Sequence, residues 1–243
     1  MMKPTRPRPS SKMVLPRVGI ISLDARGEDV ATTMLKNSPQ NTVRRIDYIK
    51  SEDDFKNSLY GTTLLFVVAE YLEKRIFDIF HIAESIGIFC VLSLPEYAKN
   101  GAYYKKIAVL LSKETDSIED EAKNIISVCK FYSADYNKNE NSILFDVDDM
   151  REMMPKAYTS LLYRGDLGGM SEFIKGVDIS HARGVFAMNV YNGDKDLKAM
   201  QQAMSFVWGT VNENADVYYG VYYDANMPIN SHIVELFVVD DMP

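Results

Sequence analysis

Cysteine is nearly absent: Cys90 and Cys129 are the only 2 in 243 residues, each inside an apolar stretch, IFCVLSL and ISVCKFY. That excludes a disulfide framework and leaves no zinc site of the usual ligand count. Positive charge is short as well. With 27 Lys and Arg against 34 Asp and Glu the formal net charge is -7, which argues against broad nucleic-acid binding, since that rests on neutralising phosphates. No apolar run reaches the roughly 18 residues that span a bilayer, and the first residues lack the apolar stretch of a secretory signal, so a cytoplasmic protein is expected. Histidine is limited to His81, His181 and His232, with no metal-ligand spacing among them, and neither a nucleophile elbow nor an internal repeat is present. No cofactor and no metal are expected from these patterns. What remains is ordinary: 47% hydrophobic, 25% charged, and long enough for one large domain or two small ones.

Glycine is missing from a place that attracts attention. GIISLDARGEDVATTML, Gly19 to Leu35, has the outline of a nucleotide site: a buried strand, a tight turn, then a helix. Such sites use glycines so that backbone N–H groups can close on a phosphate at the helix N-terminus. Here the turn carries a single glycine, Gly27; Asp24, Glu28 and Asp29 face the anion's place, and Arg26 is an exposed turn arginine.

Along the chain, residues 1–16 (MMKPTRPRPSSKMVLP) carry Lys3, Arg6, Arg8 and Lys12 without apolar periodicity, which predicts a disordered basic tail, either a solvated leader or a docking peptide for an adaptor or a membrane surface. Strands and helices then alternate. RVGIIS, TVRRIDYI, TTLLFVVA, IFCVLSL and KKIAVLLS read as strands; EDVATTMLKN, SEDDFKNSLY and AEYLEKRIFDIFHIAESIG read as helices. This rhythm predicts an α/β fold, a mostly parallel sheet with helices on both faces, over residues 17–116. Residues 117–136 form a central linking helix with Ile118, Ala122, Ile125, Cys129 and Tyr132 on one stripe. After the polar break NKNEN, residues 137–243 predict a smaller α+β domain. In it GVFAMNVY is a strand, a helix runs from Asp194 through Val211, and DVYYGVYYD and SHIVELFVV are antiparallel neighbours around Ala225-Asn226-Met227-Pro228. Gly165-Asp166-Leu167-Gly168-Gly169 reads as a flexible connection, and the alternating Tyr218, Tyr219, Tyr222 and Tyr223 as packing residues.

Asp178-Ile179-Ser180-His181-Ala182-Arg183-Gly184-Val185, just before a strand, resembles the Asp-Leu-Ser-Gly-Ala-Arg-Gly-Val of the bacterial division protein FtsZ, a relative of tubulin. The resemblance extends over about 60 residues, 177–239, including Asp224 after the next-to-last strand, and runs weaker but collinear over most of residues 17–160. It implies the two-domain tubulin/FtsZ-like architecture. It also makes losses readable. Where FtsZ has Gly-Gly-Gly-Gly-Gly-Asn-Ala-Val, this chain has Leu23-Asp24-Ala25-Arg26-Gly27-Glu28-Asp29-Val30; where the tubulin signature Gly-Gly-Gly-Thr-Gly-Thr-Gly is expected, it has EYLEKRIFDIF. Side chains at such loops block close backbone approach. The implied consequence is a degenerate phosphate loop (Asp24, Arg26, Gly27, Glu28) and no GTP binding or intrinsic GTPase activity.

One functional loop of the family is kept in part. Its Asn-x-Asp-x-x-Asp, which reaches into a neighbouring subunit's nucleotide site, is matched by Leu144-Phe145-Asp146-Val147-Asp148-Asp149. Asp146 and Asp149 either act on a partner subunit or cap the helix that follows. The resemblance therefore implies a pseudo-GTPase that caps, co-assembles with or regulates an FtsZ/tubulin-like filament in cell division. A self-assembling scaffold that needs no nucleotide, and an enzyme with a new inter-domain pocket, stand as alternatives. The chain stops four residues after its last strand, which implies that the family's terminal adaptor peptide is missing.

Overall fold

The computed structural model describes residues 17–38, 42–99, 107–132, 150–152, 154, 157–193 and 197–241. Its first strands come from apolar runs that do not alternate. β1 (Val18–Ser22), β3 (Leu64–Val68), β4 (Phe89–Pro95) and β5 (Ala108–Ser112) are buried along nearly their whole length, while β2 (Val43–Arg45) is short and lies at the sheet edge. A strand covered on both faces has no polar side to show, the pattern of a parallel sheet between helix layers. The cover is supplied by α1 (Ala25–Asn37), α2 (Glu52–Ser58), α3 (Lys74–Ser85) and α4 (Ile118–Tyr132). α2 opens on Ser51, whose hydroxyl accepts the Asp54 N–H, with three acids in the first turn where the helix dipole favours them. α3 begins at Lys74, later than its amphipathic pattern suggests; the preceding residues lead in from β3, and among them the Glu70 N–H donates to Asp24.

The second half contains β6 (Ala157–Gly165), α5 (Leu167–Lys175), β7 (Gly184–Asn192), α6 (Leu197–Thr210), β8 (Asp216–Tyr223) and β9 (Ser231–Asp241). All of these strands join one sheet in the order β2-β1-β3-β4-β5-β6-β9-β7-β8. Pairing is parallel from β2 to β6 and between β7 and β8; only β9 is antiparallel, to β6 on one side and β7 on the other.

Two expectations are corrected here. β8 and β9 are not neighbours: β7 lies between them, and the turn after Asp224 carries the chain past it, with Met227 N–H on Asp224 C=O and Asn230 at a φ of 62°. The reason is burial. Val234 to Val239 are buried without a break, which suits a central strand, whereas β8 is half-exposed over much of its length, which suits an edge. Residues 165–169 are not a flexible connection either. Gly165 ends β6, and the Asp166 carboxylate accepts the Gly169 N–H at 2.8 Å as the N-cap of α5.

The core fills both sheet faces. α1 and α4 cover one, bringing Val30, Met34, Ala122, Ile125 and Cys129 against Ile20, Phe66, Phe186 and Phe237. On the opposite face α2 and α3 pack over Leu65, Val67 and Leu92, and α5 and α6 over Ala187, Leu236 and Val238. α4 thus spans strands of both halves, and no helix among the described residues is long and apolar enough to cross a membrane.

Candidate functional site

The chain leaves β1 for β2 on one side and later enters β3 on the other, so the connections at the carboxyl ends of β1 and β3 run in opposite directions and part there. Open α/β sheets bind ligands in the crevice at such a switch point. In this chain the crevice is bridged from within. Asp24, the N-cap of α1, accepts the Gly27 N–H on Oδ1 at 2.7 Å and the Glu70 N–H, from the loop after β3, on Oδ2 at 2.6 Å. Leu23 N–H reaches Val68 C=O at 3.1 Å. Gly27 lets α1 touch the end of β3: a Cβ on it would lie 2.5 Å from the Val68 carbonyl oxygen. A carboxylate therefore sits where a helix N-terminus attracts an anion, and it binds backbone donors from both loops.

Arginines around the crevice are matched to acids of the same chain. Arg45 from β2 grips both oxygens of Glu28 through its two terminal nitrogens, and Ser22 Oγ–H donates to the same carboxylate at 2.7 Å. The Arg45 hydrogen bonds, followed by that from Ser22, pull the Glu28 carboxyl down to about 2, and the carboxylate in turn holds the guanidinium above its ordinary value. Arg26 turns inward to Glu121 of α4 at 2.5 Å, an ion pair off the line of a hydrogen bond; Glu121 is 1% exposed and also accepts Ser93 Oγ–H at 2.9 Å. Arg75 meets Glu73 at 2.7 Å and the Leu23 carbonyl at 3.4 Å. At the mouth, the exposed Tyr71 and Tyr97 have ring centroids 6.4 Å apart, and Tyr97 O–H donates to Glu70 at 3.2 Å. Bonding to the Glu70 carboxylate raises the Tyr71 hydroxyl, while partial burial and then Glu70 raise that of Tyr97.

Of the residues singled out in the sequence, Asp24, Arg26, Gly27 and Glu28 come together in this corner; Asp29 is exposed on α1. Asp146 and Asp149 lie outside the described residues, as does the basic segment 1–16. The Asp178–Val185 segment is a structural corner. Asp178 Oδ1 accepts both the N–H and the hydroxyl of Ser180, which lowers its carboxyl, and Asn212 Nδ2 donates to the Ser180 and Ala182 carbonyls. Arg183 donates to the Glu152 carbonyl at 3.3 Å, tying this corner to the helical residues 150–152. Asp224 pairs with Lys130 of α4 at 3.2 Å. Residues not singled out include Ser22, Arg45, Glu70, Ser93 and Glu121, because their partners lie on other elements. The charged Arg44-Arg45 pair in a strand was the one available signal.

The other titratable side chains have partners or burial of their own. His181 faces Asp240 at 3.4 Å, and His232 shares a 2.9 Å hydrogen bond with Asn189. Cys90 and Cys129 are buried and form no disulfide, and burial pushes the Cys90 thiol well above its usual range. Tyr219 and Tyr222 are held in the sheet, their hydroxyls pushed up to about 12 by burial. No group of three His, Cys, Asp or Glu able to hold a metal occurs among the described residues.

No protein-family model matches the sequence, and no curated protein does. Solved structures do. An FtsZ dimer of M. jannaschii, described as empty, superposes with a TM-score of 0.64 at 13% identity, covering 92% of this chain and 88% of that one. A tryptophan-to-tyrosine variant of FtsZ from M. jannaschii gives 0.68 at 11% identity, covering 94% and 92%. TubZ of Bacillus thuringiensis serovar israelensis, in GDP-form protofilaments, gives 0.56 at 6% identity, covering 93% and 86%. The chain has an FtsZ/tubulin-like fold.

Proposed function

We propose that this chain is a pseudo-GTPase: it does not bind GTP itself and acts through protein–protein contacts, capping, co-assembling with or regulating an FtsZ/tubulin-like filament in the cytoplasm, with cell division as the process. The observation that carries the reading is the Asp24 carboxylate bonded to Gly27 N–H and Glu70 N–H across the switch-point crevice. The donors that would receive a phosphate already hold an acceptor. A phosphate entering there also meets the carboxylates of Glu28 and Glu70, whose like charge opposes it. Arg26, Arg45 and Arg75 are each paired with an acid of the chain, so recruiting one to an anion means breaking an existing ion pair.

The test is calorimetric titration of the purified chain with GTP and GDP at millimolar concentration with magnesium. No heat and no thermal stabilisation are expected; a Kd tighter than ~100 μM, about -5.5 kcal/mol, overturns the reading. The partner-directed part rests on Asp146 and Asp149, which reach a filament subunit's nucleotide in this proposal. A chain carrying Asp146→Ala and Asp149→Ala loses its effect on the partner's GTP hydrolysis in co-assembly, and an unaltered effect removes that role.

Nucleotide-independent self-assembly is the second reading, favoured by the similar structure described as an empty FtsZ dimer. Sedimentation of the chain alone separates the two: filaments or stable large oligomers without nucleotide support the scaffold, a monomer or small oligomer the regulator.

A further inference from the structure

Helix α4 buries an unusual amount of polar chemistry. Alongside its apolar stripe, Glu121, Asn124 and Ser127 follow each other at three-residue spacing and are 1%, 3% and 3% exposed. Their partners lie on β4, α1, β6 and β9. Glu121 takes Ser93 of β4 and Arg26 of α1. Asn124 Oδ1 accepts from Arg164 of β6 at 3.3 Å, and its Nδ2 donates to Asp116 at 3.4 Å. Ser127 Oγ–H donates to Glu235 of β9 at 2.9 Å and accepts from Arg164 at 3.0 Å, while Arg164 Nε–H donates to the same Glu235 oxygen at 2.8 Å. One turn further on, Lys130 pairs with Asp224 beyond β8 and lies 5.3 Å from the centre of the Tyr222 ring.

We propose that this ladder is a registry lock, holding α4 in a single axial and rotational position against both halves of the sheet so that the halves open and close as one body. Ala122, Ile125, Ile126 and Cys129 pack into the apolar cluster beneath the helix, a non-directional contact that the polar ladder supplements with directional ones. A one-turn shift of about 5.4 Å separates the buried Glu121 carboxylate from Arg26 and Ser93, and takes Asn124 and Ser127 from Arg164 and Glu235, which then keep only each other. Specificity rather than strength is its signature: Glu235 Oε2 meets no hydrogen-bond donor among the described residues, so the network falls short of the best stability its groups allow. The inference is independent of whether GTP binds.

The test is hydrogen exchange on the full chain, comparing wild type with the triple variant Ser127→Ala, Arg164→Met, Glu235→Leu, which replaces the central rung by apolar groups of similar volume. The lock predicts that the triple variant stays folded with a similar denaturation midpoint. Its α4 amides exchange at least tenfold faster, and the unfolding of Trp208, which reports the second half, no longer coincides with the circular-dichroism transition. Wild-type exchange in α4 together with coincident transitions overturns the proposal. Should the triple variant not fold, Arg164→Lys decides. It keeps the charge beside Glu235 but cannot reach Asn124, Ser127 and Glu235 at once, so the lock requires faster α4 exchange in a folded protein, and unchanged protection refutes it.

Discussion

Replacing Asp24 by Ala removes the bridge across the crevice, and its cost can be built from the structure. The first part is the N-cap: the bond from Gly27 N–H at 2.7 Å is lost, which costs about 1 kcal/mol for caps of this kind. The second is the Glu70 N–H, now half-buried without its carboxylate partner at 2.6 Å, which adds about 1–3 kcal/mol. The expected loss is therefore about 2–4 kcal/mol, or roughly 5–15 °C in Tm for a chain of this size. Urea denaturation followed by circular dichroism measures it, with an unchanged m-value showing that only stability has moved. The freed donors face one point at a helix N-terminus, so sulfate at about 10 mM restores ~1.4 kcal/mol to the variant if it binds there with a Kd near 1 mM, and leaves wild type unmoved. A loss below ~0.5 kcal/mol refutes the bridge. A full loss with no sulfate effect refutes the idea that the carboxylate stands in for an anion.

Three further outcomes follow from the same corner and from the core. Gly27→Ala forces its new methyl onto the Val68 carbonyl oxygen, a backbone atom that cannot swing away; the overpacking cost of ~1–3 kcal/mol outweighs the ~1 kcal/mol gained in helix propensity, and a stabilised variant in urea contradicts the packing role. Glu28 has a folded carboxyl near 2, below the ordinary 4.5, so its contribution is complete above about pH 4.5 and fades as the pH falls towards 2. The stability difference between wild type and Glu28→Gln, followed by pH-dependent denaturation, shrinks over that window, and a difference constant down to pH 2 removes the Arg45 partnership. Cys90 is buried with its thiol raised, so its reaction with a disulfide reagent at pH 8 proceeds at the rate of opening, and labelling as fast as that of an unfolded control contradicts its burial.

The first half of the fold was legible because its signals are local. Unbroken apolar runs separated by amphipathic helices dictate a covered parallel sheet, although α1 begins at Ala25, ahead of the EDVATTMLKN segment, because Asp24, read in the sequence as part of a degenerate phosphate loop, caps it. β6 escaped notice because AYTSLLYRG mixes polar and apolar residues, as befits a strand that is only partly covered towards its end. The position of β9 is a long-range fact. A short turn after Asp224 suggests a hairpin, but six consecutive buried residues demand a central place, and demand outweighs proximity. The site was half visible for the same reason. Asp24 and Glu28 stand out as acids in a phosphate-like turn, while Arg45, Glu70, Ser93 and Glu121 acquire their meaning only when the sheet brings distant segments to one edge.

A crevice filled by a ligand is a switch because the ligand can leave. Asp24 is tied to α1 by the main chain, so its effective concentration at the Gly27 and Glu70 donors is fixed and cannot be lowered by dilution or hydrolysis. A ligand shifts a conformational equilibrium only by its differential affinity for the two states, and an acceptor that is always present supplies none. The α4 ladder acts in the same direction, since a helix held by buried hydrogen bonds to Arg164 of β6 and Glu235 of β9 resists sliding against the sheet. Both features favour a body of one shape. On the reading proposed here its contribution to a filament is the surface it presents, and the rate at which partners exchange on that surface follows their own nucleotide state, with none required of this chain.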